Sequence, residues 1–104
     1  RRAMRDELFR GWGAEKTLAQ WQSVLRGEET YIKPYIHTAG MHINTSLAYE
    51  PAVLGAAIAP ALAAITEASP FFNMARKLAD KLSYFNSIKA GIVPKDSILH
   101  EFIG

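Results

Sequence analysis

Behind Ser69-Pro70 the side chains Phe71, Ala75, Leu78, Leu82 and Phe85 recur at intervals of +4, +3, +4 and +3, a repeat that commits the stretch to a helix with one face in a core. Ser is a favoured N-cap, and Pro fits the first helical position, where a missing N–H is no loss. The spacing predicts a helix from Pro70 to about Lys89, stopped by Gly91. Phe72 lies about 100° round that helix from Phe71, off the stripe, and Arg76 and Lys77 follow one turn later. Apolar tips above basic residues suit a surface that dips into an anionic membrane.

Strand-like alternation of β-branched residues is missing, so the chain reads as all-α with four principal helices. The first runs from about Arg2 to Leu25 on Met4, Leu8, Trp12, Leu18, Trp21 and Leu25, with a kink or break where Gly11 and Gly13 flank Trp12. The second follows Arg26-Gly27, opens on Glu28 and Glu29, where carboxylates favour the helix dipole, and carries the stripe Ile32, Ile36, Ala39, Ile43, Leu47. Pro34 either bends this helix or marks its first turn. The third is Ala-rich and starts at Glu50-Pro51. Its sixteen uncharged residues, Pro51 to Thr66, fall short of the roughly 20 strongly apolar residues of a membrane span, so it reads as a buried helix disturbed at Pro60. A short helical turn from Asp96 to Ile103 follows Pro94.

Short connections favour antiparallel neighbours, which gives an antiparallel up-down-up-down four-helix bundle. Its expected core sets Phe71, Leu78, Leu82 and Phe85 against Ile36, Ile43, Leu54, Ile58 and Leu62. In that topology the first and third connections share one end. Leu25, Arg26, Phe71 and Phe72 then meet at a tip, with Lys33, Arg76 and Lys77 one to two turns behind as a basic collar. These seven residues are the candidate lipid-binding set.

Length and composition narrow the function. The 104 residues, 49% hydrophobic, suffice for one domain with its own core. The absence of cysteine excludes disulfides, a thiol nucleophile and Cys-ligated zinc. The net charge of +2 is unevenly placed: residues 1–26 are basic, 27–75 acidic and 76–104 basic. That balance is weak beside the dense basic face of a nucleic-acid binder, so no nucleic acid is expected. His37 and His42 lie about 140° apart on a helix, so they do not converge on a metal. Neither a glycine-rich phosphate loop nor a nucleophile elbow is present. No enzymatic activity, catalytic residue, metal or cofactor is expected. The first residue is not Met and no signal peptide is visible, so the chain reads as a domain excised from a larger protein.

With its tip of Leu25-Arg26 and Ser69-Pro70-Phe71-Phe72, flanked by Lys33, Arg76 and Lys77, the chain resembles the four-helix-bundle membrane localization domains of large bacterial toxins and secreted effectors. Within that family it is most similar to the N-terminal lipid-raft-targeting domains of Bordetella type III cytotoxic effectors. The resemblance covers essentially the whole chain and rests on architecture and tip chemistry. The segment from Val93-Pro94-Lys95 to Leu99-His100-Glu101-Phe102-Ile103-Gly104 is also similar to the junction where clostridial glucosylating toxins enter their transferase domain. It lacks the Trp before Ile-Gly and is one residue short.

The resemblance implies a module secreted by bacteria into a host cell. There it would sit peripherally on the cytoplasmic face of the plasma membrane and bind phosphatidylserine and phosphoinositides, with a secretion chaperone as a further partner. The rival reading is a helical protein-interaction module, chaperone- or partner-binding, that uses Trp12, Trp21, Tyr31 and Tyr35 as anchors. Exposed Phe at a tip favours membrane, whereas exposed Trp and Tyr along a flank favour a protein partner.

Overall fold

A computed structural model describes residues Arg1–Gly104. The chain is all-helical, with five α-helices: α1 (Arg2–Phe9), α2 (Ala14–Gly27), α3 (Glu50–Ala63), α4 (Phe72–Ser83) and α5 (His100–Ile103). Shorter 3-10 and π turns fill parts of the connections, and no strand is present.

The break at Gly11 is a full reversal. Gly11 takes a φ of +62°, a conformation that costs a residue with a Cβ about 1 kcal/mol or more, and the chain folds back so that α1 and α2 form a hairpin. Asp6 fastens it. Its carboxylate is fully buried, accepts from the Thr17 hydroxyl at 2.9 Å and from Arg10 at 3.0 Å, and its carbonyl accepts from the Trp12 N–H. A buried carboxylate is tolerable only with such partners.

A second hairpin joins α3 to α4, and the two helices run antiparallel. Arg76 donates to the Leu62 carbonyl at one end, Gly55 faces Leu82 midway, and the Ile88 N–H donates to the Ala52 carbonyl at the other end. A Cβ on Gly55 would lie 3.2 Å from the Leu82 Cβ, so the small residue sets how closely the helices approach. The Ala-rich segment is buried on one face only: Val53, Leu54, Ile58 and Leu62 point inward, while Ala56, Ala57, Ala59 and Pro60 are exposed. Exposure of Pro60 leaves the carbonyl it cannot serve open to water. No helix is long and apolar enough to cross a membrane.

The core joins both hairpins through Met4, Leu18, Val53, Leu54, Ile58, Leu62, Ile65 and Ala75, with Phe71, Leu78 and Leu82 packed against it. It is closed by Val93, Leu99 and Phe102 near the C-terminus, with Arg1 and Arg5 over the Phe102 ring. Leu99 and Phe102 thus belong to the core, a role the short terminal turn does not announce.

The expected second helix departs furthest from its pattern. After α2 the chain widens into a π-helical turn at Glu28–Ile32, tightens into a 3-10 helix at Lys33–Thr38, and is extended or irregular from Ala39 to Ala48. Pro34 explains the change of pitch, since its ring collides with the carbonyl four residues back and supplies no N–H. Beyond Thr38 lie Gly40, Asn44, Thr45 and Ser46, poor helix formers without a surface to compensate them. Ile36 and Ile43 are therefore outside the core, 47% and 74% exposed. Phe85 is also outside, because α4 ends at Ser83 rather than near Lys89. With residues 28–47 absent from the second-helix position, the packed unit is two hairpins and α5.

Candidate membrane-contact site

The expected tip is divided between the two ends of α2. The Ser69 hydroxyl donates to the Glu15 carboxylate, which fixes the connection before α4 to the first turn of α2. Leu25 and Arg26 lie ten residues further on, roughly 15 Å away along the axis, and Lys33 is beyond them. Phe71 and Phe72 are half-buried against the core rather than projecting. Ser69 does start the turn into α4, accepting from the Phe71 N–H at 3.1 Å, but α4 begins at Phe72, not Pro70.

The basic collar is divided in the same way. Arg76 is engaged inside the fold: its guanidinium donates to the Leu62 carbonyl at 2.8 Å, capping the end of α3, and lies 5.2 Å from the Phe72 ring centroid. Lys33 is exposed but pairs with Glu29, and that hydrogen bond, with the carboxylate's charge, raises its pKa above the ordinary lysine value. Arg26 is exposed and donates to the Ser23 hydroxyl. Leu25 is half-buried. Of the seven, Lys77 lines the groove between α1, α2 and α4.

The groove, of about 450 Å³, lies between the start of α1, the middle of α2 and α4. Leu18, Trp21, Met74 and Leu78 form its apolar wall, and Arg1, Arg2, Lys77 and Lys81 its charged rim. All four charges are positive. Arg1 is tied to Glu50 through a two-pronged hydrogen bond that holds the Glu50 carboxyl below its ordinary pKa, against the opposing effect of its partial burial. Lys77 and Lys81 form no ion pair.

Beside this groove an apolar arm leaves the body. Tyr31, Ile32, Tyr35, Ile36, Met41 and Ile43 are all exposed, Tyr31 and Met41 by more than three quarters. Arg1 joins arm to groove, since its guanidinium also donates to the Thr45 carbonyl where the arm returns. The arm shows in the molecule's dimensions. A compact chain of this mass exposes roughly 5,800 Å², whereas this one exposes 7441 Å². Its radius of gyration is 15.2 Å, against roughly 13 Å for a compact domain of this length.

The sequence pattern missed both features. A stripe at helical spacing does not distinguish a core face from an unpartnered one, so the arm's isoleucines read as core. Lys81 carries no signal by itself, although its i, i+4 relation to Lys77 around Leu78 marks a basic flank. The histidines are dispersed: His42 faces the Ile36 carbonyl, and His100 the Pro94 and Gly104 carbonyls. A scan against protein-family models, a search of curated proteins and a search of solved structures return no match to this chain.

Proposed function

We propose that this chain is a peripheral membrane-targeting module that binds anionic phospholipid through the arm and the cationic groove at its root. The observation that carries the reading is the arm: six large apolar side chains, four on short helical turns and Met41 and Ile43 on the irregular segment that follows, all exposed to water. Four aliphatic side chains, each gaining about 1 kcal/mol on completing their burial, together with about 1 kcal/mol for each of three or four basic groups near an anionic leaflet, reach micromolar affinity. Tyr31 and Tyr35 suit the interfacial depth, where aromatic side chains with a polar end concentrate. The apolar tip of Phe71 and Phe72 is not part of this mechanism.

The four-helix bundle belongs to the same proposal. At an interface the exposed part of the stripe, Ile36, Ala39 and Ile43, has a surface to face, and the segment after Pro34 winds into the second helix that the stripe encodes. The resemblance to toxin and effector localization domains supports the wider setting: a non-catalytic module steering a secreted bacterial effector to the cytoplasmic face of a host plasma membrane.

A second reading, a protein-interaction module, is favoured by one observation. The exposed aromatics include Trp21, Tyr31 and Tyr35, whereas Phe71 and Phe72 are half-buried.

Sedimentation with phosphatidylcholine vesicles, with and without phosphatidylserine, decides between the two. Wild type should sediment with the anionic vesicles, and far-UV circular dichroism should show added helix there. Ile32→Ser with Ile36→Ser should remove about 2 kcal/mol of affinity, roughly thirtyfold, without lowering the melting temperature. If wild type stays in the supernatant with every vesicle, the membrane reading fails and the protein-partner reading takes its place.

A further inference from the structure

Gly27 is unexplained by the single chain. It closes α2 with helical angles, φ −61° and ψ −44°, and the helical path runs on without a gap through the π and 3-10 turns to Thr38. A glycine weakens a helix at such a place, and neither a positive φ nor a close neighbour asks for it here, since a Cβ would meet nothing within 4 Å. The close approach of a second backbone would ask for it.

Three further observations make that backbone another copy of this chain. Leu18 in the groove and Ile36 on the arm each lie nine residues from Gly27, on opposite sides. At about 1.5 Å per residue each is roughly 13 Å away, so a twofold axis at Gly27 brings the arm of either copy over the groove of the other. Arg26 and Glu28 flank that axis, and neither forms an ion pair within the chain. Across the axis Arg26 of each copy stands opposite Glu28 of the other. Area is the third observation. The 7441 Å² that the chain exposes is roughly 1,600 Å² above the roughly 5,800 Å² of a compact chain of its mass. Covering half of that excess on each copy buries about 1,600 Å² in total, the size of a standard stable interface.

We infer that two copies of this chain form a closed twofold pair in water, each laying Ile32 and Ile36 of its arm in the groove beside the other's Trp21. The groove's apolar wall takes the isoleucines, and its cationic rim faces Glu28 and Glu29, the acids that open the arm. Closure uses both arms and both grooves, which leaves none to recruit a third copy. The inference goes beyond the membrane reading and does not rest on it, because it concerns what covers the arm in the absence of lipid.

Sedimentation equilibrium over a concentration series, without lipid, should reach twice the chain mass. In Trp12→Phe protein, where Trp21 is the sole tryptophan, emission should shift to the blue as the pair forms. Gly27→Leu should weaken association at least about tenfold with helicity kept, because the new side chain clashes only across the axis. Arg26→Glu and Glu28→Arg should each weaken it through like-charge contacts. Mixing those two variants should restore a mixed pair, in which both contacts are again complementary.

A single-chain mass at every concentration overturns the pair, as does a mass that keeps growing past two copies, the sign of an open chain of arms. Gly27→Leu protein that associates like wild type, or charge variants that stay apart when mixed, overturns the twofold placement. A pair whose Trp21 emission does not move overturns the contact between arm and groove. Vesicle sedimentation judges the membrane reading separately: single chains that bind anionic vesicles sink the pair and keep that reading, and a pair that ignores every vesicle does the reverse.

Discussion

Asp6→Ala tests the hairpin that the rest of the fold is built on. The carboxylate is fully buried, and its two hydrogen bonds come from Thr17 and Arg10. A hydrogen bond to a charged group contributes about 1.5–3 kcal/mol. The Arg10 contact is discounted to about 0.5–1 kcal/mol, because that side chain is 44% exposed and screened by water. Truncation should therefore destabilise the protein by about 2–4 kcal/mol, a fall in melting temperature on the order of 10–20 °C for a domain this size. Urea unfolding followed by circular dichroism measures it, with Thr17→Val as the companion. Since Thr17→Val removes the hydroxyl that Asp6→Ala would leave without its acceptor, the double variant should lose less than the two single losses combined. An Asp6→Ala protein within about 0.5 kcal/mol of wild type, or strict additivity with Thr17→Val, would refute the assignment of Asp6 as the hairpin's buried anchor.

Gly55→Val should cost about 1–3 kcal/mol by overpacking, because even its Cβ would crowd Leu82 at 3.2 Å. A urea midpoint equal to wild type would show that α3 and α4 are not so close. The Arg1–Glu50 link should be acid-sensitive. The folded Glu50 pKa lies below the ordinary 4.5, so the link contributes fully above that pH and is lost as pH falls through the lowered folded value. Melting curves should show the advantage of wild type over Glu50→Gln shrinking below pH 4.5. A constant gap from neutral to acid pH would show that the carboxylate's charge plays no part.

Local chemistry was legible wherever a residue's own backbone preference decides the outcome. Gly11 and Gly13 predicted the break between α1 and α2, Ser69 the turn into α4, Glu50-Pro51 the start of α3, and the lack of alternating β-branched residues the all-α class. Only the tertiary structure decided what each apolar stripe meets. Phe71, Leu78 and Leu82 found the core, whereas Ile36 and Ile43, equally well spaced, found none, since helical spacing records a face but not its neighbour. The candidate site followed the same division. Lys77 was visible as a basic residue near an apolar tip, but its companions Arg2, Trp21 and Lys81 come from three helices whose alignment depends on the α1–α2 reversal and on the Ser69–Glu15 contact. Arg76 was legible as a charge but not as the cap of α3, because the carbonyl it satisfies belongs to Leu62 on another helix. A residue's charge and shape are written in its own letter, and its partner is set by how the helices pack.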